Sequence, residues 1–203
     1  MLQSYLSLDG LRSFLVLTTA TAQMGLAYLP DMRKSKHTIT SRAEDLESAI
    51  VPIGWAFAIW GPIFITCLVF AIWQFLPANL EHPFARQIGW MAIAVFLACS
   101  IWEVIVPKKG YVWVSLLLSV LELIWLSAIS ISLAWGRWAL SPVEYWIVAI
   151  PFMLFAGWVT VAVFVNLALI LKAKGFQVGR SVSFVLLILV GLAAAVGTAL
   201  SDS

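Results

Sequence analysis

One stretch of the chain, residues 52–76, decides the fold: it reads PIGWAFAIWGPIFITCLVFAIWQFL and contains no charged residue. About 20 apolar residues in helical conformation are enough to cross the roughly 30 Å hydrocarbon core of a bilayer. A half-buried strand would alternate polar with apolar residues, and this stretch does not. It therefore predicts a membrane-spanning helix.

Further apolar stretches of similar length lie on both sides of this one. They cover residues 11–30, 88–106, 111–135, 143–171 and 178–200. Open sheet edges are not tolerated in lipid, because their backbone groups find no water to bond to. The expected fold is therefore all-α: a polytopic membrane helix bundle of about six transmembrane helices, forming a single transmembrane domain over residues 1–203.

The composition agrees with a membrane protein. Hydrophobic residues make up 63% of the chain and charged residues 11%, against about 45–50% and about 25% in soluble domains. The formal net charge is only +2, and no lysine-rich or arginine-rich run is long enough to follow a phosphate backbone. We therefore expect the lipid membrane as the main partner and no binding of nucleic acid.

Lysine and arginine are distributed unevenly between the two sides of the predicted bundle. Most of them fall in loop one (31–51), loop three (107–110) and loop five, whereas the other side has Arg12, Arg86 and Arg137. By the positive-inside rule, these three loops face the cytoplasm of a bacterium or the equivalent compartment of an organelle. Both termini are then expected on the opposite side of a bacterial inner membrane or organelle membrane.

Two local signals predict where helices begin. Ser141 followed by Pro142 is typical of an N-cap and a first-turn proline, and it opens the fifth span. In loop one, Ser41 and Glu44 have the spacing of a capping box, which predicts a short helix on the membrane surface over residues 40–47.

The second span contains a helix-breaking pair, Gly61 and Pro62. Proline removes one backbone donor and glycine offers no side chain, so we expect a kink here and a gap beside it. Indole side chains occur close to this pair in the same span. A gap lined by indoles suits a flat ligand.

Three polar side chains lie in otherwise apolar spans: Glu103, Glu122 and Asn166. An ionisable residue at membrane depth is costly and marks a candidate functional site. We expect Glu103, near the end of its span, to reach towards Lys108 and Lys109. Glu122 is too central for that, and we expect it to be protonated or paired to polar groups, as a candidate proton-coupling residue. Asn166 should point inward, either for an interhelical hydrogen bond or for a ligand.

Metal and catalytic motifs are missing from the sequence. His37 and His82 lie in separate loops, and no cysteine, histidine or carboxylate cluster has metal-ligand spacing. There is likewise no nucleophile elbow, phosphate-binding loop or dinucleotide fingerprint. We therefore expect no metal site, no catalytic residues and no obligatory cofactor, and a binding protein rather than an enzyme.

The last predicted span carries two small-x-x-x-small pairs, Gly191 with Ala195 and Ala193 with Gly197. Such pairs let two helices approach closely. They predict close packing of this helix either within the bundle or between the protomers of a homodimer.

Two segments resemble the TspO/MBR family, also called tryptophan-rich sensory proteins or, in mitochondria, the translocator protein. The first is Pro-x-Gly-Trp-x-Phe-x-x-Trp at residues 52–60, where the two tryptophans stand five residues apart and the family has six. The second is Trp-Val-Thr-Val-Ala at residues 158–162, followed by Asn166, and it is similar to the family's Trp-Val-Ser-Tyr-Ala motif. The resemblance covers a five-helix core over 11–172, which makes the span at 178–200 an extra C-terminal helix.

This resemblance implies a pocket under loop one that binds porphyrins, sterols or other planar hydrophobic small molecules. Porphyrin or haem would be a ligand rather than an obligatory cofactor, and the protein would act as a sensor, carrier or scavenger. Carried over residue by residue, the ligand-binding pocket consists of Trp55, Phe57, Trp60, Trp102, Trp158, Ala162 and Asn166.

Two functions of other classes stay open at this point. The chain has the size of a small proton-coupled secondary transporter that would use Glu122. It could equally serve as an accessory subunit that packs against a larger membrane complex.

Overall fold

The computed structural model describes residues 5–46, 54–135 and 140–176, and all regular structure within these ranges is helical. The helices are α1 (Leu8–Met32), α2 (Ile39–Glu44), a 3₁₀ helix (Gly54–Ile59), α3 (Trp60–Phe75), α4 (Pro83–Lys109), α5 (Trp113–Trp135) and α6 (Pro142–Ala173). The predicted all-α class is confirmed. The predicted span at 178–200, with its pairs of small residues, lies outside the described residues.

Four helices in the described ranges are long and apolar enough to cross a membrane. They are the 3₁₀ helix continued by α3, then α4, α5 and α6, and they correspond to the second to fifth predicted spans. The protein is therefore an integral membrane protein. Helix α1 covers the first predicted span, but Arg12, Gln23 and its threonines make it less apolar than the other four.

The long helices form a closed ring of neighbours. Helix α1 packs against α3 and α4, α4 packs against α5, α5 against α6, and α6 returns to α3. Consecutive helices are thus neighbours except for α3 and α4, which α1 separates. This ring places side chains from all five helices around one central axis.

Hydrogen bonds hold loops one and three together. At one end, Arg42 of loop one donates hydrogen bonds of 3.2 and 3.3 Å to the Pro107 carbonyl, and the Tyr111 hydroxyl donates one of 3.3 Å to the Ile39 carbonyl. Loops one and three therefore lie together, as the topology requires. We call this the loop-one end. Its membrane side stays a prediction from the charge distribution.

The predicted helix starts are partly correct. Ser141 caps α6 and forms a capping box with Glu144. The loop-one helix also exists, but its cap is Thr38, which forms a capping box with Ser41. The expected pairing of Ser41 with Glu44 is wrong, because the helix begins one turn earlier and Ser41 occupies its third position.

The kink at Pro62 stays a prediction, but the helix type changes beside it. The second span starts as a 3₁₀ helix and becomes α-helical only at Trp60, so Pro62 is the third residue of α3. The first backbone N–H groups of an α-helix have no intrahelical acceptor, and a proline there breaks no hydrogen bond. The change of helix type sets the direction of the side chains in this segment.

Candidate ligand-binding cavity

A narrow cavity lies at the loop-one end of the bundle. Its volume is about 20 Å³, and it opens to the outside. It is lined by Phe57, Trp60, Trp102, Tyr111, Trp158, Val161, Ala162, Val165 and Asn166. The structure thus brings together six of the seven residues predicted for the pocket.

Helix α6 supplies one wall. Trp158, Val161, Ala162, Val165 and Asn166 follow one another at steps of three and one, and residues three or four apart lie on the same face of an α-helix. Four of these five side chains are apolar, which leaves Asn166 as the polar group on this wall.

The 3₁₀ helix supplies the opposite side and excludes Trp55 from it. A 3₁₀ helix turns by about 120° per residue, so Phe57 and Trp60, three residues apart, share one side. Trp55 is rotated from that side by about 120° and is 76% exposed. The structure therefore does not bring Trp55 to the cavity, although its motif partners are there.

Trp60 lies at the centre of the aromatic wall. Its ring centroid is 5.9 Å from that of Trp158 at an interplanar angle of 79°, and 6.1 Å from that of Trp102 at 36°. Phe57 meets Trp158 edge-on, with centroids 6.0 Å apart. Aromatic pairs of this kind are favourable. Trp60 also stacks on Phe64, with ring centroids 5.2 Å apart at 17°, so one of its faces is already covered.

The indole nitrogens of this wall are unusual. The Nε1 atoms of Trp60, Trp102 and Trp158 are all buried and have no hydrogen-bond partner among the described residues. A buried indole N–H usually finds an acceptor. The cavity wall therefore carries three hydrogen-bond donors whose acceptors the described residues do not supply.

Asn166 is held by helix α5. The Ser115 hydroxyl lies 2.9 Å from Asn166 Oδ1 and donates to it, while Asn166 Nδ2 donates to Ser119 Oγ at 3.2 Å. The side chain is 1% exposed. The predicted inward orientation is confirmed, and the same residue both joins two helices and lines the cavity.

Loop one covers the cavity. Ala43 of α2 is fully buried in a cluster with Trp102, Tyr111 and residues of α6, and Ile39 packs against the same cluster. With the hydrogen bonds from Arg42 and Tyr111, these contacts close the loop-one end over the aromatic wall.

The two intramembrane carboxyl groups lie outside the cavity lining. Glu122 is 3% exposed and Glu103 is 2% exposed. Glu103 Oε1 accepts a hydrogen bond from Cys99 Sγ at 3.6 Å, so its expected reach towards Lys108 and Lys109 is wrong. Its helix face points it into the bundle instead of along the helix end.

The family model of the TSPO-like proteins matches residues 13–202 of this chain. The chain belongs to the TSPO-like family. The match confirms the predicted resemblance, and it continues to residue 202, through the segment 178–200 that was predicted as an extra helix. No curated protein and no solved structure shows significant similarity to the chain.

Three lining residues of this TSPO-like protein were not predicted: Tyr111, Val161 and Val165. The two valines share the helical face of Trp158 and Asn166, so the spacing alone could have indicated them. Tyr111 comes from loop three and reaches the cavity because its hydroxyl is bonded to loop one. No sequence pattern signals that contact.

Proposed function

We propose that this protein binds a planar hydrophobic small molecule, of the tetrapyrrole type, in the aromatic cavity and acts as a sensor, carrier or scavenger. The observation that carries the proposal is the convergence of Trp60, Trp102 and Trp158 on one cavity. Indole rings stack on flat π-systems and combine apolar area with a polar N–H group. The surrounding apolar side chains and the membrane favour a lipophilic ligand.

The free indole donors add a requirement on the ligand. Three buried N–H groups without acceptors lower the stability of the empty cavity, because each has lost its bond to water. A ligand with carbonyl, carboxylate or ring-nitrogen acceptors at its edge would restore those bonds. A pure hydrocarbon of the same shape would not, and we expect it to bind more weakly.

Binding requires the cavity to open. Pockets for small molecules commonly measure about 300–1,000 Å³, and this cavity, at about 20 Å³, is too small for a macrocycle. Helix α2 is short and is attached to the rest mainly through Arg42, Ile39 and Ala43. We propose that this cover moves outward when the ligand enters.

Quenching of tryptophan fluorescence by protoporphyrin IX in mild detergent tests the proposal. Wild type should show saturable quenching. Trp158→Phe should weaken the affinity about three- to tenfold, since it removes an aromatic edge and an N–H donor. Trp55→Phe is the matched control, because Trp55 belongs to the same motif but is exposed outside the cavity.

A second variant tests the location of the site directly. Ala162→Phe adds a ring to the α6 wall of a cavity that is already narrow and should abolish saturable quenching. Non-saturable quenching in wild type, or equal affinity in wild type, Trp158→Phe and Ala162→Phe, would contradict binding in this cavity.

We also propose that the loop-one end faces the cytoplasm. The support is the excess of lysine and arginine in loops one and three. Cys67 and Cys99 are fully buried, so a cysteine introduced by Lys36→Cys in exposed loop one should dominate labelling by a membrane-impermeant maleimide. We expect labelling of inside-out vesicles and not of intact cells, and the reverse pattern would overturn the orientation.

A further inference from the structure

A second group of polar side chains lies in the centre of the bundle, beside the aromatic cavity. It consists of Glu103 and Cys99 on α4, Glu122 on α5, Cys67 on α3 and Gln23 on α1. All five are buried, with exposed fractions between 0% and 3%. Four helices of the ring therefore meet at this polar cluster.

The cluster is only partly hydrogen-bonded. Cys99 donates to Glu103 Oε1, and the Gln23 amide is within range of the Cys67 thiol. Glu103 Oε2, Glu122 Oε1 and both polar atoms of Gln23 have no hydrogen-bond partner among the described residues. Buried polar groups are seldom left unpaired, so this site has spare capacity for hydrogen bonds.

Among the described residues, no positive charge acts on the two carboxyl groups. Two side chains act on Glu103: Cys99 donates a hydrogen bond to it, and a negative charge on Glu122 would repel one on Glu103. The ion pairs described in this structure involve only Asp9, Glu81, Arg12 and Arg86, at the other end of the bundle.

The other helices bring no cation to the cluster either. Helices α1 and α3 contribute Gln23 and Cys67. The buried polar side chain of α6 is Asn166, which is hydrogen-bonded to α5. Arg42 of α2 is held by the Pro107 carbonyl. Two carboxylates at membrane depth without a counter-ion are very costly, and a proton is the simplest ligand that neutralises them.

At two places, a residue of the cluster is close in sequence to a residue that lines or supports the cavity. Trp102, which lines the cavity, directly precedes Glu103 on α4. Ser119, which accepts the hydrogen bond from Asn166, lies three residues before Glu122 on the same face of α5. A shift of Trp102 or of Asn166 therefore acts on Glu103 or Glu122 through less than one helical turn of backbone.

We propose that Glu103 and Glu122 form a buried proton-binding site whose protonation is coupled to ligand binding in the aromatic cavity. The coupling rests on the proposed function, whereas the proton-binding site does not. A carboxylate oxygen binds a proton that hydronium in the bulk water releases, and the new O–H group can donate to the second carboxyl group. A proton needs no cavity, and the aromatic cavity is not lined by these two residues.

The direction of the coupling follows from desolvation. An apolar ligand in the cavity covers Trp102 and Asn166 and keeps water away from the neighbouring glutamates, which favours the neutral acids. Ligand binding should therefore take up protons. By linkage, affinity should rise as the pH is lowered through the range in which the pair titrates.

Infrared spectroscopy of the protein in lipid, without ligand, tests the proton-binding site. A protonated carboxyl group has a C=O stretching band apart from that of a carboxylate. The isosteric variants Glu103→Gln and Glu122→Gln should each remove part of this band, whereas Glu44→Gln, at an exposed position of α2, should leave it unchanged. A band that neither buried variant alters, at any pH at which the protein is folded, would overturn the site.

Calorimetry tests the coupling. Protoporphyrin IX is titrated into the protein in two buffers that differ in ionisation enthalpy, so the difference in heat counts the protons taken up. We expect net uptake in wild type and a clear loss of it in Glu122→Gln. Equal heats in the two buffers at every pH across the range in which the infrared band changes would overturn the coupling but not ligand binding. If no ligand binds, the proposed function and the coupling fail together, and the infrared result still decides the proton-binding site.

Discussion

The two ends of the bundle are built in opposite ways. At the end away from loop one, Asp9 is paired with Arg12 and Arg86, and a cluster of phenylalanine side chains is fully buried. At the loop-one end, aromatic side chains surround a cavity, and the indole N–H groups of Trp60, Trp102 and Trp158 have no hydrogen-bond partner among the described residues. The difference suggests that one end holds the helices together, so that the other can keep the unsatisfied groups that a ligand needs.

Packing at the end away from loop one, which we call the closed end, centres on Phe152. Its ring lies parallel to that of Phe96, with centroids 6.2 Å apart, and meets Phe70 edge-on at 4.9 Å. All three side chains have no exposed surface. They come from α6, α4 and α3, so this contact joins three helices of the ring.

The polar contacts of the closed end centre on Arg12. It is 2% exposed, pairs with Asp9 and donates a 2.6 Å hydrogen bond to the Leu80 carbonyl. Arg86 donates to the other oxygen of Asp9 at 2.6 and 2.9 Å. Gly89 makes room for this arrangement, because a Cβ atom there would lie 2.5 Å from Arg12 Cδ.

The largest effect is expected from Phe152→Ala. Removing a fully buried ring leaves a cavity among three helices and should lower the free energy of unfolding by about 3–5 kcal/mol. The matched variant is Phe57→Ala at the partly exposed rim of the aromatic cavity, which should cost less than half as much. Unfolding in mixed detergent micelles measures both. Equal losses would remove the proposed difference between the ends.

A smaller loss, about 2–4 kcal/mol, is expected from Arg12→Met, because the buried Leu80 carbonyl loses its donor and Asp9 loses one of its two partners. Thermal unfolding in detergent should show the loss. The affinity for protoporphyrin IX should stay within a factor of two, since Arg12 lies at the closed end. A parallel loss of affinity would show that the ends are not independent.

Much of this fold could be predicted because apolar runs of about 20 residues report directly on membrane spans. The misplaced features depend on local backbone geometry. The helix type changes two residues before Pro62, and Trp55 leaves the cavity for this reason. Periodicity patterns assume a single helix type, so they cannot show such a change.

The candidate site was predictable where its residues share a helix face and not where they depend on tertiary contacts. Ala162 and Asn166 follow from spacing along α6, whereas Tyr111 is positioned by a hydrogen bond to loop one. The environment of Glu103 likewise depends on Cys99 of its own helix and on Glu122 of the next. The lysines close to Glu103 in the sequence, Lys108 and Lys109, therefore led to the wrong predicted partner.

A moderate effect is expected from Ser119→Ala. It removes the acceptor of Asn166 Nδ2, a buried amide, and should cost about 1–2 kcal/mol of stability. Affinity for protoporphyrin IX should fall as well, because Asn166 is then free to rotate in the cavity wall. Ser127→Ala is the control on the same helix, since that hydroxyl is exposed and donates only to the Leu123 carbonyl. A cost of Ser127→Ala equal to that of Ser119→Ala would argue against a special role for the interhelical bond.

The smallest effect concerns pH at the closed end. The hydrogen bond from Arg86 is the main reason that the pKa of Asp9, which precedes the predicted first span, is lowered from its ordinary value. A group with a lowered pKa in the folded state stabilises that state above its unfolded pKa, and this contribution is lost as the pH falls through the folded pKa. Thermal stability should therefore decline on acidification, and it should decline less steeply in Asp9→Asn. The decline should also be less steep at high salt, because Asp9 is partly exposed and salt screens its charge.

Asp45→Asn is the control for this prediction. It changes an exposed carboxylate that forms no ion pair among the described residues, and it should keep the wild-type slope. An Asp9→Asn profile parallel to that of wild type would mean that the ion pairs contribute nothing measurable and that the phenylalanine contacts alone hold the closed end.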